Sequence, residues 1–342
     1  MLKAAVQKLV ELQDLSASEV GECFETIFAG QASPALLGAF LVAFRMKGET
    51  PEEIAAAAEV MRRRATPVRV PKNRLVLDTC GTGGDGAGTF NLSTAAALVV
   101  AGSGSVTVAK HGNRSVSSRS GSADVLAASG VNVEAPLAVV ERCLEELYIG
   151  FLFAPLLHEA MRHVAPVRRE VGIRSVFNLL GPLANPARAP RQLLGVYAPA
   201  LVPVVARTLV HLGTERALVV HGEDGLDEVS PSGPTRAAWV EGGRVRELTL
   251  TPEQAGLERV PRESIRGGAA EENAQVLARV LAGEKGPVRQ AVLLNAGAAF
   301  WVSGAADSLA EGVERAAASI DSGAARARLA GLVSLTQARS RA

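Results

Sequence analysis

Apolar residues Leu2, Val6, Leu9 and Val10 recur at helical spacing in the opening segment MLKAAVQKLVELQDLS. Further on, Ser16-x-x-Glu19 reads as a capping box, and Ser33-Pro34 and Thr50-Pro51 each set a capping hydroxyl before a proline at the first helical position. Gly30 and Gly48 stand where C-terminal caps belong. About four helices are predicted in the first 65 residues. The third, around ALLGAFLVAF, is apolar nearly all round, which suits either a dimer seam or an internal core helix. Arg62, Arg63 and Arg64 close the fourth, where a solvated helix end that complements the helix dipole accounts for them.

After Pro71 the pattern changes to short β-branched runs between helical stretches: LVLD (75–78), SVTVA (105–109), IGFLF (149–153), LLGVY (193–197) and ALVV (217–220). Strands alternating with helices predict an α/β fold with a mainly parallel central sheet, joined to the small all-helical N-terminal part. Ligands of such sheets bind at the carboxyl ends of the strands, so the loops after these runs hold the candidate chemistry. From about residue 271 the chain is again helical in texture.

Composition narrows the partners. The chain has 342 residues, enough for about two domains, with 48% apolar and 21% charged residues. Lys plus Arg (36) balances Asp plus Glu (35), so a net charge of +1 gives no general reason to expect nucleic acid or an anionic membrane. Cys23, Cys80 and Cys143 are odd in number and lack C-x-x-C spacing, which predicts reduced thiols in the cytoplasm without a disulfide framework or zinc site. No secretion signal or membrane span is predicted.

The first unusual loop is GTGGDGAGTFNLST (81–94). It begins with G-x-G-x-x-G, yet a dinucleotide fingerprint would open a helix within the motif and end the next strand on an acidic residue. Here helical sequence waits until about Ser93, and the next strand runs into Lys110 and His111. No Gly-Lys-Ser/Thr follows to make a Walker loop. What remains is a strand entering small residues, then Asn91, Ser93 and Thr94 at a helix mouth, the ingredients of a phosphate or pyrophosphate site. Asp85 would repel a bare anion, which points to a metal ion or a ribose hydroxyl reaching the same place.

KHGNRSVSS (110–118) follows the second strand and should lie beside the first loop. Its cations, amide and hydroxyls make a core-facing role implausible, because each polar group buried without a partner costs about 1 to 3 kcal/mol. A polyanion site is the favoured reading over a solvated loop.

Together GTGGDG, FNLST, KHGNRSVSS and GSADVL resemble the anthranilate phosphoribosyltransferases of tryptophan biosynthesis. The similarity continues through FLFAPLLHEAMRHVAPVRREVGIRSVFNLLGPLANPA (151–187), LDEVS (226–230) and GGAAEENAQVLARVL (267–281), nearly the whole chain. Departures are AASG at 127–130, where a Leu often precedes the Gly, and Cys80 in LDTCG, often another apolar residue. Neither touches a site residue. The resemblance implies a helical domain over residues 1–70 with a helical insertion at about 170–190, an α/β phosphoribosyl-binding domain over 71–342, a cleft between them that closes, and a homodimer through the helices.

It also implies transfer of 5-phosphoribose from phosphoribosyl pyrophosphate (PRPP) to the anthranilate amine, with Mg2+ and without a catalytic acid or base. PRPP would be held by Gly81, Thr82, Gly83, Gly84, Asp85, Thr89, Asn91, Ser93, Thr94, Lys110 and Ser118. Anthranilate would be held by Gly81, His111, Asn113, His158 and Arg168. By residue type Arg168 suits a carboxylate with two parallel hydrogen bonds, although most arginines are surface residues. By residue type alone Asp227 and Glu228 would read as a solvated acidic turn, although adjacent carboxylates suit hard cations shared with phosphate oxygens better than acid/base work; the resemblance makes them, with Ser93, the implied metal set. A pyrimidine nucleoside phosphorylase shares this architecture but would read K-H-S-T-G-G in the second loop. A non-catalytic nucleic-acid-binding relative would want a basic face and a decayed acidic motif.

Overall fold

The computed structural model describes residues 1–115 and 119–338. Helices α1 (Leu2–Val10), α2 (Ala17–Phe28), α3 (Pro34–Lys47) and α4 (Pro51–Arg64) open the chain. The capping box of α2 forms, with Glu19 N–H donating to Ser16 Oγ at 3.3 Å and Ser16 N–H to Glu19 Oε2 at 2.9 Å. Ser33 and Thr50 cap α3 and α4 ahead of their prolines. Gly30 and Gly48 follow α2 and α3 at φ +71° and +86°, a region glycine enters without steric penalty. In α3, Leu37, Phe40, Leu41 and Phe44 are buried inside the bundle, and Phe40 packs against Phe24 and Phe44 with ring centroids 6.0 and 5.3 Å apart. Most of its apolar surface is therefore internal core, while Met46 stays 77% exposed.

Seven strands follow: β1 (Leu75–Gly81), β2 (Val106–Gly112), β3 (Ile149–Phe153), β4 (Arg191–Gly195), β5 (Arg216–Gly222), β6 (Thr235–Glu241) and β7 (Arg244–Leu250). The sheet order is β3-β2-β1-β4-β5-β6-β7, with the first five strands parallel. The last two form an antiparallel hairpin that the strand pattern did not reveal. Its signal was Gly242-Gly243, both at positive φ as a two-residue hairpin turn demands. The outer strand carries exposed Arg244, Arg246 and Glu247, charges that blunt a sheet edge. β4 starts two residues earlier than LLGVY suggested.

Helix α5 (Leu92–Gly102) is buried along nearly its whole length between the sheet and helix Pro287–Ser303. The opposite face of β4 to β6, including Leu194, Val219 and Ala238, shares a core with α2 to α4 and with helix Leu201–His211. Segments Ala165–Val171 and Phe177–Leu183 join that core, and Phe177 lies 5.5 Å from Phe24 and 6.0 Å from Phe28 between ring centroids. Burying one aromatic ring there contributes on the order of 1.5 to 3 kcal/mol. No described helix is long and apolar enough to cross a membrane, and all three cysteines are free thiols.

Candidate active site

Parallel pairing of β1 with β2 brings the two unusual loops side by side at the carboxyl edge of the sheet. β2 extends through Lys110 and His111, so these two are buried, 2% and 6% exposed, contrary to the expectation for a loop of polar groups. Partners account for the difference. Lys110 Nζ donates to Thr79 O at 2.6 Å and to Ser93 Oγ at 3.3 Å. Burial lowers the Lys110 pKa, and the carboxylate of buried Asp78 opposes that shift.

The glycine loop is held from three sides. Thr82 N–H donates to Gly195 O at 2.9 Å, and Thr82 Oγ1 accepts from Tyr197 N–H at 3.0 Å. Arg174 donates to Gly84 O while its guanidinium stacks 4.3 Å from the Tyr197 ring. Farther along, Thr89 bridges to Arg266 and Phe90 N–H donates to Ile265 O at 2.9 Å. Asn91 and Ser93 open α5, and Thr94 is 1% exposed with an unpartnered Oγ1. Asp85 turns back on its loop, accepting from Ala87 N–H at 3.1 Å and from Asp227 N–H at 3.5 Å.

Asp227 and Glu228, on the turn after β5, both reach this loop. Asp227 Oδ2 accepts from Gly83 N–H at 2.8 Å, and Glu228 Oε1 accepts from Ser93 N–H at 3.2 Å. Although both residues stay partly exposed, burial first and then the charge of Asp85 push Asp227 up to about 7. Burial and the neighbouring Asp227 push Glu228 up to about 8. The donors are hard oxygens, and a divalent cation relieves the repulsion between them, so the set fits magnesium. Among the described residues no three His, Cys, Asp or Glu side chains converge as a metal cage.

The second half of the site faces helix Phe177–Leu183. His111 Nδ1 lies 3.0 Å from Gly181 O, and a carbonyl can only accept, so Nδ1 carries the proton and Nε2 is a lone acceptor. Burial and the adjacent His158 lower His111 to about 3, and burial lowers His158 to about 4. The rings stand 5.1 Å apart, both with an unpartnered Nε2. Arg168 forms no ion pair among the described residues and stacks its guanidinium 5.4 Å from the Phe177 ring centroid. His111 and Arg168 therefore both contact helix Phe177–Leu183, one at the Gly181 carbonyl and the other at the Phe177 ring. Asn113 accepts from Arg114 N–H at 2.7 Å, and its carbonyl accepts from Ala123 N–H at 3.1 Å, which ties Asn113 to the start of helix Ser122–Ala128. Ser118 lies outside the described residues.

Some contributors escaped the sequence reading. Asp78 holds the His111 backbone N–H at 3.1 Å, and Thr79 Oγ1 donates to Ser93 O at 3.1 Å. An acid ending the apolar run LVLD was the available signal. Arg174 and Tyr197, far apart in sequence, carried none.

This fold and site define a two-domain glycosyl transferase: the glycosyl transferase family, helical bundle domain, matches residues 3–65, and the glycosyl transferase family, a/b domain, matches residues 73–326. Anthranilate phosphoribosyltransferase of Anaeromyxobacter dehalogenans strain 2CP-C is 56% identical over 98% of this chain and 99% of its own. The crystal structure of that enzyme from Thermus thermophilus superposes with a TM-score of 0.92 at 50% identity, over 98% of this chain and 99% of its own. The Saccharomyces cerevisiae enzyme in complex with PRPP and Mg gives 0.90 at 30% identity, over 99% and 98%. The same yeast enzyme with 4-fluoroanthranilate gives 0.88 at 28% identity, over 99% and 98%. The chain belongs to the anthranilate phosphoribosyltransferase family.

Proposed function

We infer that this site performs the reaction of its family, moving 5-phosphoribose from PRPP to the anthranilate amine and releasing pyrophosphate. The observation that carries the reading is the meeting of Lys110, Ser93 and Glu228 within hydrogen-bond distance at the edge where both loops end. A cation, a hydroxyl at a helix N-terminus and a carboxylate suited to a divalent ion make up what a pyrophosphate leaving group requires.

In this reading the amine nitrogen attacks the sugar C1, the bond from C1 to the pyrophosphate oxygen breaks, and the nitrogen then gives up a proton. An aryl amine is neutral at pH 7, so no strong base is needed before attack. The loop from Gly81 to Asp85, with Thr89, Asn91, Ser93, Thr94, Lys110 and Ser118, would bind the phosphates and ribose. Asp227, Glu228 and Ser93 would hold magnesium, which when bound neutralises charge on the departing pyrophosphate. Arg168 would grip the anthranilate carboxylate, and Asn113 and His158 would line the ring. The lone acceptor Nε2 of neutral His111 would take an amine N–H and aim the nitrogen at C1. Orientation of this kind contributes up to about 7 to 11 kcal/mol, which is why a site without a nucleophile suffices.

The same reading divides the chain into a helical domain over 1–70, with the insertion near 170–190, and an α/β domain over 71–342 that close on the substrates. It includes a cytoplasmic homodimer through the helices, where Val10, Leu12 and Met46 leave apolar side chains exposed. Steady-state transfer with each substrate varied tests the assignment. Arg168→Ala should raise the anthranilate KM by on the order of tenfold or more, the worth of a hydrogen bond to a charged group, and leave the PRPP KM nearly unchanged. Equal movement of both constants would make Arg168 structural.

A further inference from the structure

Asn273 sits on helix Ala270–Leu281, 2% exposed, and the reaction described above gives it no task. Its Oδ1 accepts from Gly268 N–H at 2.8 Å. Its Nδ2 donates to Asn91 Oδ1 at 2.9 Å and to Ser120 Oγ at 2.9 Å. Asn91 Nδ2 in turn donates to Ser120 O at 3.2 Å. One buried amide therefore ties the mouth of α5 to the exit of the second loop and to the segment that bridges Thr89.

The chain of bonds has a fixed direction, because backbone groups pin both of its ends. A backbone N–H can only donate, so Asn273 must face Gly268 with its oxygen and Asn91 with its nitrogen. Asn91 must then face Asn273 with its oxygen and turn its nitrogen toward the Ser120 carbonyl, which can only accept. One Asn91 amide hydrogen is used there, and the second has no acceptor among the described residues. The Ser120 carbonyl anchors the Asn91 nitrogen and Asn273 anchors its oxygen, with the Ser120 hydroxyl a longer contact at 3.4 Å to the same oxygen. Losing Asn273 removes the shorter of the two contacts on the oxygen, so the amide can swing about the remaining bonds and withdraw its free N–H from the phosphates.

We propose that Asn273 is a positioning residue for PRPP, acting through Asn91 by locking its amide so that an N–H faces the anionic substrate. The inference rests on the functional reading given above for Asn91. A double-mutant cycle separates action through Asn91 from a general structural role. Affinity for PRPP with magnesium, measured by calorimetry, and the KM of each substrate are compared in wild type, Asn91→Ala, Asn273→Ala and the double variant. Asn273→Ala is expected to weaken PRPP binding by on the order of tenfold, with the anthranilate KM unmoved. In the Asn91→Ala background its effect should vanish. An undiminished effect in that background, or equal shifts in both substrates, would overturn the proposal. Asn273→Ser, whose hydroxyl can still accept from Gly268, is subject to the same comparison if the alanine variant fails to fold. PRPP binding by wild type without transfer to anthranilate would overturn the functional reading alone, and the calorimetric cycle would still decide the role of Asn273.

Discussion

Asp227 and Glu228 show how single residues set the behaviour of the site. Their ordinary values, 3.8 and 4.5, are raised to about 7 and about 8, so without a divalent cation the folded chain holds protons here that the unfolded chain has released. The pair therefore withdraws stability as pH rises from about 4 toward about 8. Magnesium bound to the ionised pair would return it. At pH 8, magnesium at about 100 times its Kd should stabilise the wild type by about 2.7 kcal/mol. The shift in melting temperature should be smaller at pH 6, where protons compete, and smaller again in Asp227→Asn at pH 8. An equal shift in wild type and Asp227→Asn would move the metal elsewhere. These residues were legible in the sequence as an acidic pair after a strand, whereas their raised proton affinity was not, because it depends on Asp85 and on burial across the fold.

At the scale of elements, the ends of three adjacent strands build the seat for this pair. A Cβ on Gly195, at the end of β4, would lie 1.5 Å from Asp227 O, and one on Gly81, at the end of β1, would lie 2.6 Å from Asp227 Oδ2. Gly195→Ala must therefore push the Asp227 backbone away from the glycine loop. Displacement of about 1 Å in such a site can cost about 100-fold in rate, so activity should fall by that order while the far side of the sheet stays folded. Near-wild-type turnover in Gly195→Ala would show that Asp227 does not need this placement. The elements themselves were largely legible: the caps at Ser16, Ser33 and Thr50 and the β-branched runs that became β1 to β5. The β6–β7 hairpin was not, because TRAAWVE buries most of both faces and so lacks strand alternation. The close approach of Gly195 to Asp227 arises only when strands distant in sequence pair.

Across the whole molecule, the N-terminal helices and one face of the sheet share a hydrophobic core, and helix Phe177–Leu183 runs from that core to His111. Phe177 packs into the bundle and under Arg168, while Gly181 orients His111. Helix Phe177–Leu183 thus touches both the bundle and the end of β2. The long motifs carried the family, whereas periodicity alone carried only the layers. Transfer requires that the loops at the strand ends and the residues around helix Phe177–Leu183 hold the two substrates together. The measurement that decides it is the loss of anthranilate fluorescence on mixing the purified protein with anthranilate and PRPP, with magnesium supplied or chelated. Loss only when PRPP and magnesium are both present, with pyrophosphate released in equal amount, is the predicted result. A folded protein that leaves the fluorescence unchanged with everything supplied would contradict it.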